Sequence, residues 1–142
     1  MRTLSFRNYK ESWENVRQFS TGATRDTDKD KLDFEGFLSP LVIERYAAYL
    51  HKHRIQADGN YRDSDNWQKG IPLTVYMKSG WRHFFDWWKE HRGLPSREGI
   101  EDALCGLLFN VMGYLHEILK NKSKCKMAED PYNPDNERTL KE

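Results

Sequence analysis

Between residues 40 and 120 the apolar positions recur at helical spacing. Leu41, Val42, Ile43, Tyr46, Ala47, Tyr49 and Leu50 give a helix with one apolar face. Ser39 is suited to cap its start and Pro40 to enter its first turn, and the helix is expected to end near His53. A second helix begins in the stretch Ile71-Pro72-Leu73-Thr74. It runs through Tyr76, Met77, Trp81, Phe84, Phe85 and Trp88 to about His91, where Gly93 and Pro95 end it. Ser96 is expected to cap a third helix, with Glu98 and Glu101 near its first turns, where the helix dipole favours acidic groups. Its apolar run from Ala103 to Leu119 makes it central to the core.

The flanks are polar. Residues 1–36 read as an irregular arm with a short helix near 9–18, and residues 20–25, rich in small hydrogen-bonding side chains, as an ordered loop. Residues 57–70 form a polar loop with Asp58-Gly59-Asn60 as its turn. Residues 121–142, with Pro131 and Pro134, read as a tail. Strand signals are weak and no repeat is visible. The expected fold is all-α: one domain over 1–142, a small helical bundle at about 38–120, an N-terminal arm (1–37) and a polar C-terminal tail (121–142).

Charge changes this picture little. The formal net charge is +1, which leaves no basic footprint for nucleic acid. A negative ligand would need a local arrangement of cations. Aromatics make up 13% of the chain, five of them tryptophans, and they suit a core, a base pocket or both. Cys105 and Cys125 form no C-x-x-C pair, which favours a reducing compartment. No apolar leader and no stretch of roughly 20 apolar residues is present. The expectation is a soluble cytoplasmic protein without membrane contact.

Four constellations carry candidate chemistry. His83 and Asp86, spaced i,i+3, share a helix face beside Arg82 and could bind a divalent metal or move protons; a solvated polar face explains them equally well. Glu98, Glu101 and Asp102 are three carboxylates within two turns, suited to Mg²⁺ or Mn²⁺; the dipole at a helix start also accounts for them. Asn110 lies in an apolar run and must be hydrogen-bonded, to a core network or to a site. Glu117, two turns on, and Glu44, in the first helix, raise the same question. The loop 61–70 mixes cations, amides and Trp67, which fits a phosphate-and-base pocket or a surface loop pinned by one indole. The basic cluster His51-Lys52-His53-Arg54 suits a helix C-terminus.

Several of these residues carry a resemblance. Leu38-Ser39-Pro40, Glu44-Arg45-Tyr46-Ala47, Asp65-Asn66-Trp67-Gln68-Lys69-Gly70-Ile71-Pro72, Arg82-His83, Glu98-Gly99, Asp102 and Asn110, with Thr21-Gly22-Ala23 and Arg25 upstream, resemble a phage-encoded family, the dATP/dGTP diphosphohydrolase N-terminal domain. The likeness covers about residues 21–117. The Asn-Trp-x-x-Gly-Ile-Pro and Arg-His pieces are its most specific parts. That family is similar to the all-α MazG-type nucleotide pyrophosphatases, which hold Mg²⁺ on helix carboxylates and cleave between the α- and β-phosphates.

The resemblance implies Glu44, His83 and Glu101 as residues of the reaction. It implies Glu98, Glu101, Asp102 and His83 as metal ligands, Lys69 and Arg82 on phosphates, and Asn66, Trp67 and Asn110 on substrate. It also implies a homo-oligomer. The MazG-type Glu-x-x-Glu pair is absent from the first helix, which offers Glu44 alone, and His83-x-x-Asp86 stands as a substitute on the second.

The expected function is metal-dependent hydrolysis of (deoxy)purine nucleoside triphosphates to monophosphate and pyrophosphate. The alternative is a phage protein that sequesters nucleotides without cleaving them. Two geometric expectations follow. The second and third helices pack as antiparallel neighbours, bringing His83 and Asp86 near Glu98, Glu101 or Asp102. Asn110 is buried and bonded to a polar partner in the site.

Overall fold

The computed structural model describes residues 16–28 and 30–128. The chain divides into two compact units, residues 1–39 and 40–142, each described here by itself.

In the first unit, β1 (Val16–Gln18) pairs antiparallel with β2 (Thr24–Asp26), with Arg17 opposite Arg25. The connecting turn closes through Gly22, at φ +85°, whose N–H donates to the Phe19 carbonyl at 2.9 Å. Only glycine takes that backbone conformation without strain. Of the ordered loop expected at 20–25, residues 20–23 are this hairpin turn and 24–25 belong to β2. Of the short helix expected at 9–18, residues 9–15 lie outside the described residues and 16–18 are strand. One turn of helix, α1 (Phe34–Phe37), follows, capped by Asp33, which accepts from the Gly36 N–H at 2.9 Å.

The second unit is a small helical bundle. α2 (Pro40–Lys52) starts directly after Ser39. A loop then carries the Asp58-Gly59-Asn60 turn, with Gly59 at φ +83°, and a one-turn 3₁₀ helix, Asn66–Lys69. α3 (Leu73–His91) ends in a glycine cap: Gly93 donates to the Glu90 carbonyl at 3.0 Å and Leu94 to that of Lys89 at 2.9 Å. α4 (Ile100–Ala128) is 29 residues long and extends eight residues into the segment expected to be tail. Among the described residues no helix is long and apolar enough to cross a membrane.

α4 is the centre of this unit. On one side it meets α2 through Tyr46, Tyr49, Cys105, Phe109 and Met112, and the Tyr46 hydroxyl reaches the Met112 sulfur at 3.6 Å. On another it meets α3 through missing side chains. A Cβ on Gly106 would stand 2.5 Å from the His83 ring, and one on Gly113 would collide with the Tyr76 ring. Gly80 of α3 comes close to Asn110. His83 and Tyr76 are seven residues apart, as are Gly106 and Gly113. Two helical turns of α3 therefore dock bulky rings onto two bare turns of α4. The same register carries Asp86 to the level of Ala103, and both are fully buried.

Candidate functional site

Charged side chains from four segments meet at the N-terminal end of α4. Glu98 comes from the α3–α4 connection, Glu101 and Asp102 from the first turn of α4, His83 and Asp86 from α3, and Arg45 and Lys52 from α2. The expectation that Glu98, Glu101 and Asp102 lie within two turns of one helix fails for a local reason. α4 begins at Ile100, not near Ser96, and Gly99 at φ +79° turns the chain just before it. Ser96 accepts from the Gly99 N–H at 2.9 Å and so shapes this turn rather than capping the helix. Glu98 is left outside the helix and helical spacing does not apply to it.

The three carboxylates separate accordingly. Glu98 accepts from His83 Nδ1 at 2.5 Å, with both side chains largely buried. The imidazole lies close against Gly106, in the space a Cβ would fill. Bonding at Nδ1 leaves Nε2 as the second ring nitrogen for an acceptor role. Glu101 takes Arg45 Nε at 2.7 Å. Asp102 takes Arg45 on one oxygen at 2.5 Å and Lys52 on the other. Lys52 first, then Arg45, holds the Asp102 carboxyl below the usual carboxylate range, and the bonds to Glu101 first, then to Asp102, push the Arg45 guanidinium upward. Asp86, 1% exposed, is held by the Arg97 guanidinium, at 2.9 Å from its Nε, which lowers its carboxyl below the usual range. Arg97, Arg45 and Lys52 are the partners that spacing along the sequence missed, because each lies on a different segment from the carboxylate it meets.

The expected packing of α3 against α4 is present, and it joins His83 to Glu98. Asp86 turns to Arg97 instead. His83, Glu98, Glu101 and Asp102 do not form one ligand set. Among the described residues no three His, Cys, Asp or Glu side chains gather as a metal group.

The other expected site residues lie elsewhere. Glu44 is exposed on α2, whose contacts with α4 run through Arg45, Tyr46, Tyr49 and Lys52. Arg82 is exposed on α3, and its carbonyl accepts from Arg97 at 3.4 Å. Trp67 packs edge-on against His116, at 4.7 Å between ring centres, and against Phe109 at 6.3 Å. Lys69 donates to Asn66 at 3.2 Å, and Lys120 donates to the Gln68 carbonyl at 2.8 Å. His116 lies ten residues beyond Gly106, about 15 Å along the helix. The Asn66–Lys69 turn is therefore a clasp on the middle of α4, set apart from the His83–Glu98 pair. Asn110 is buried, 5% exposed, but its amide donates to the Gly106 carbonyl of its own helix at 2.7 Å rather than to a site partner. The Tyr76 hydroxyl and Glu117 Oε1 are buried without a hydrogen-bond partner. Burial, then the Glu117 charge, raises the Tyr76 phenol.

No known family, curated protein or solved structure matches this chain.

Proposed function

We propose that the chain handles nucleotides, hydrolysing a (deoxy)purine nucleoside triphosphate to monophosphate and pyrophosphate at the N-terminal end of α4, as a homo-oligomer. The observation that carries this reading is the His83–Glu98 pair. Two residues from separate parts of the resemblance meet at 2.5 Å. A carboxylate on Nδ1 orients an imidazole so that Nε2 can take a proton from water. In the proposed step that water's oxygen bonds to the α-phosphorus, its proton passes to Nε2, and the bond to the α–β bridging oxygen breaks, releasing pyrophosphate. The N–H groups at the start of α4 favour the phosphate charge nearby.

The carboxylates as folded do not fit a ready-made Mg²⁺ or Mn²⁺ site, because Glu101 and Asp102 already face Arg45 and Lys52. That same observation favours a second reading, sequestration without cleavage. Asp102 has both oxygens neutralised by protein cations, and the close carboxylates need no divalent ion to coexist.

The test is incubation with a panel of nucleoside triphosphates, with Mg²⁺, with Mn²⁺ or with chelator, and chromatography of the products. Monophosphate and pyrophosphate from dATP or dGTP, lost in His83→Asn, support hydrolysis. Intact nucleotide retained in equilibrium dialysis, undiminished by chelator, supports sequestration. Neither product nor retention overturns both.

A further inference from the structure

Two stripes run side by side along α3. Met77, Trp81, Phe84 and Trp88, at i, i+4, i+7 and i+11, make an apolar and mainly aromatic stripe. Lys78, Arg82, Lys89 and Arg92 make a cationic stripe next to it, with Phe85 in its middle. A third stripe, Leu108, Val111, Leu115 and Leu119, is aliphatic and belongs to α4. Met77, Trp81 and Phe84 share one groove with Val111 and Leu115, so the aromatic and aliphatic stripes form one continuous face. Trp81 is 65% exposed, Val111 57% and Trp88 53%. With full aromatic side-chain areas of about 150–250 Å², the face presents roughly 700 Å² of apolar surface. The largest apolar patch on a typical monomer is about 300–600 Å².

Charge on this face has one sign. Lys78, Arg82 and Arg92 are exposed and Lys89 is half-buried, and among the described residues none of the four is in an ion pair. The dipole at the end of α3 accounts for Lys89 and Arg92 but not for Lys78 and Arg82, which lie further inside the helix. Six acids belong to α3, α4 and their connection. Asp86 is held by Arg97, Glu90 accepts from the Ser96 N–H at 3.0 Å, and Glu98 takes His83. Glu101 and Asp102 take Arg45, and Glu117 has an oxygen buried.

We propose that this face lies in the surface of an anionic lipid bilayer. The aliphatic stripe of α4 and the rings of α3 enter the boundary between acyl chains and headgroups, and the cationic stripe meets lipid phosphates and carboxylates. The expectation of no membrane contact rests on the lack of a spanning stretch, and a helix lying in the interface needs none. Neither the nucleotide chemistry nor the self-association proposed above is used.

Three features select a lipid surface. Across the face the order is aliphatic, aromatic, cationic, which is the order of a bilayer from its chains through its aromatic-rich interface to its headgroups. The unpaired cations complement anionic headgroups, each contributing a few-fold in affinity near such a surface. A second copy meeting this face with its own would bring the same cations and no acid to receive them. Single-stranded nucleic acid would use the rings and the cations, but the aliphatic stripe offers a base nothing to stack on.

Cosedimentation of the full chain with vesicles tests the proposal, using phosphatidylcholine alone and phosphatidylcholine mixed with phosphatidylserine. Binding should require the anionic lipid and weaken in high salt. Brominated acyl chains should quench tryptophan emission in the bound state. Lys78→Glu and Trp81→Ala should each weaken binding by roughly tenfold or more. Arg62→Glu, the same charge change on an exposed residue outside α3 and α4, should weaken it far less. Far-UV dichroism should show wild-type helicity in all three variants, which separates lost binding from lost folding. A wild type that stays in the supernatant with anionic vesicles at low salt overturns the proposal, whether the face then pairs with a second copy or with another protein. Binding indifferent to both Lys78→Glu and Trp81→Ala overturns the assignment to this face. Tighter binding to a single-stranded oligodeoxynucleotide than to the anionic vesicles, lost in Trp81→Ala, overturns lipid in favour of nucleic acid.

Discussion

α4 is held on two sides by opposite means. Against α3 the contact is one of shape: Gly106 and Gly113 give up their side chains so that His83 and Tyr76 can lie on the helix backbone. Against α2 it combines two tyrosines around Cys105 with ion pairs at the rim, where Arg45 and Lys52 remain 38% and 53% exposed. The first contact has no room to adjust, and the second is open to water and salt. Volume should govern one side and charge the other, with Asp86 as the exception, a buried charge within the shape-determined side.

That exception gives the largest expected effect. Arg97→Ala leaves the Asp86 carboxylate buried without its cation and should cost about 3 kcal/mol. Asp86→Ala should cost less, because Arg97, 59% exposed, is returned to water. Urea unfolding of the two variants measures the asymmetry, and equal losses would contradict it. Next come the glycines. Gly106→Ala and Gly113→Ala should each cost about 2 kcal/mol by overpacking. Only Gly106→Ala should also disturb the His83–Glu98 bond, visible in the imidazole nitrogen resonances.

On the α2 side, Asp102→Asn should cost about 1 kcal/mol, since the cations it releases are already half in water. Its effect should shrink in high salt, whereas that of Arg97→Ala should not. The pH response carries the same distinction. Asp86 and Asp102 both have folded values below the unfolded value of about 3.9. Their contributions are therefore complete above that value and are lost as pH falls through the folded ones. Denaturant midpoints should fall below about pH 4, less steeply in Asp102→Asn. Lys52→Ala, removing one exposed partner of a carboxylate that keeps Arg45, should cost under about 0.5 kcal/mol.

Some of the site was written locally. The apolar stripes beside both polar sets and the short turn at Gly93 to Pro95 predict α3 and α4 as neighbours, and the structure packs them together. Spacing failed where the helix had not begun. Glu98 lies outside α4, because the Gly99 turn precedes the first helical residue. The loop 61–70 offers cations and an indole that fit a pocket, yet Trp67 has an apolar ring to bury and packs it against Phe109 and His116. One signal was present and unread: Gly106 and Gly113 repeat the seven-residue step of Tyr76 and His83. Glycines inside a helix weaken it, so two at that interval point to a close approach by a neighbour.

The helices themselves follow from the sequence alone. Apolar periodicity over 41–50, 76–88 and 103–119, proline near two helix starts and glycine at the end of α3 are local instructions, decided by backbone sterics and by which face must leave water. Tertiary structure decided the pairings. Each carboxylate had several cations available along the chain. Which one it meets depends on how α2, α3 and α4 are brought together, and that depends on steric fit at Gly106 and Gly113 and on the apolar contacts around Cys105. The segments concerned lie up to 57 residues apart. Helical spacing relates residues on one continuous helix, so it carries no information about contacts across that distance.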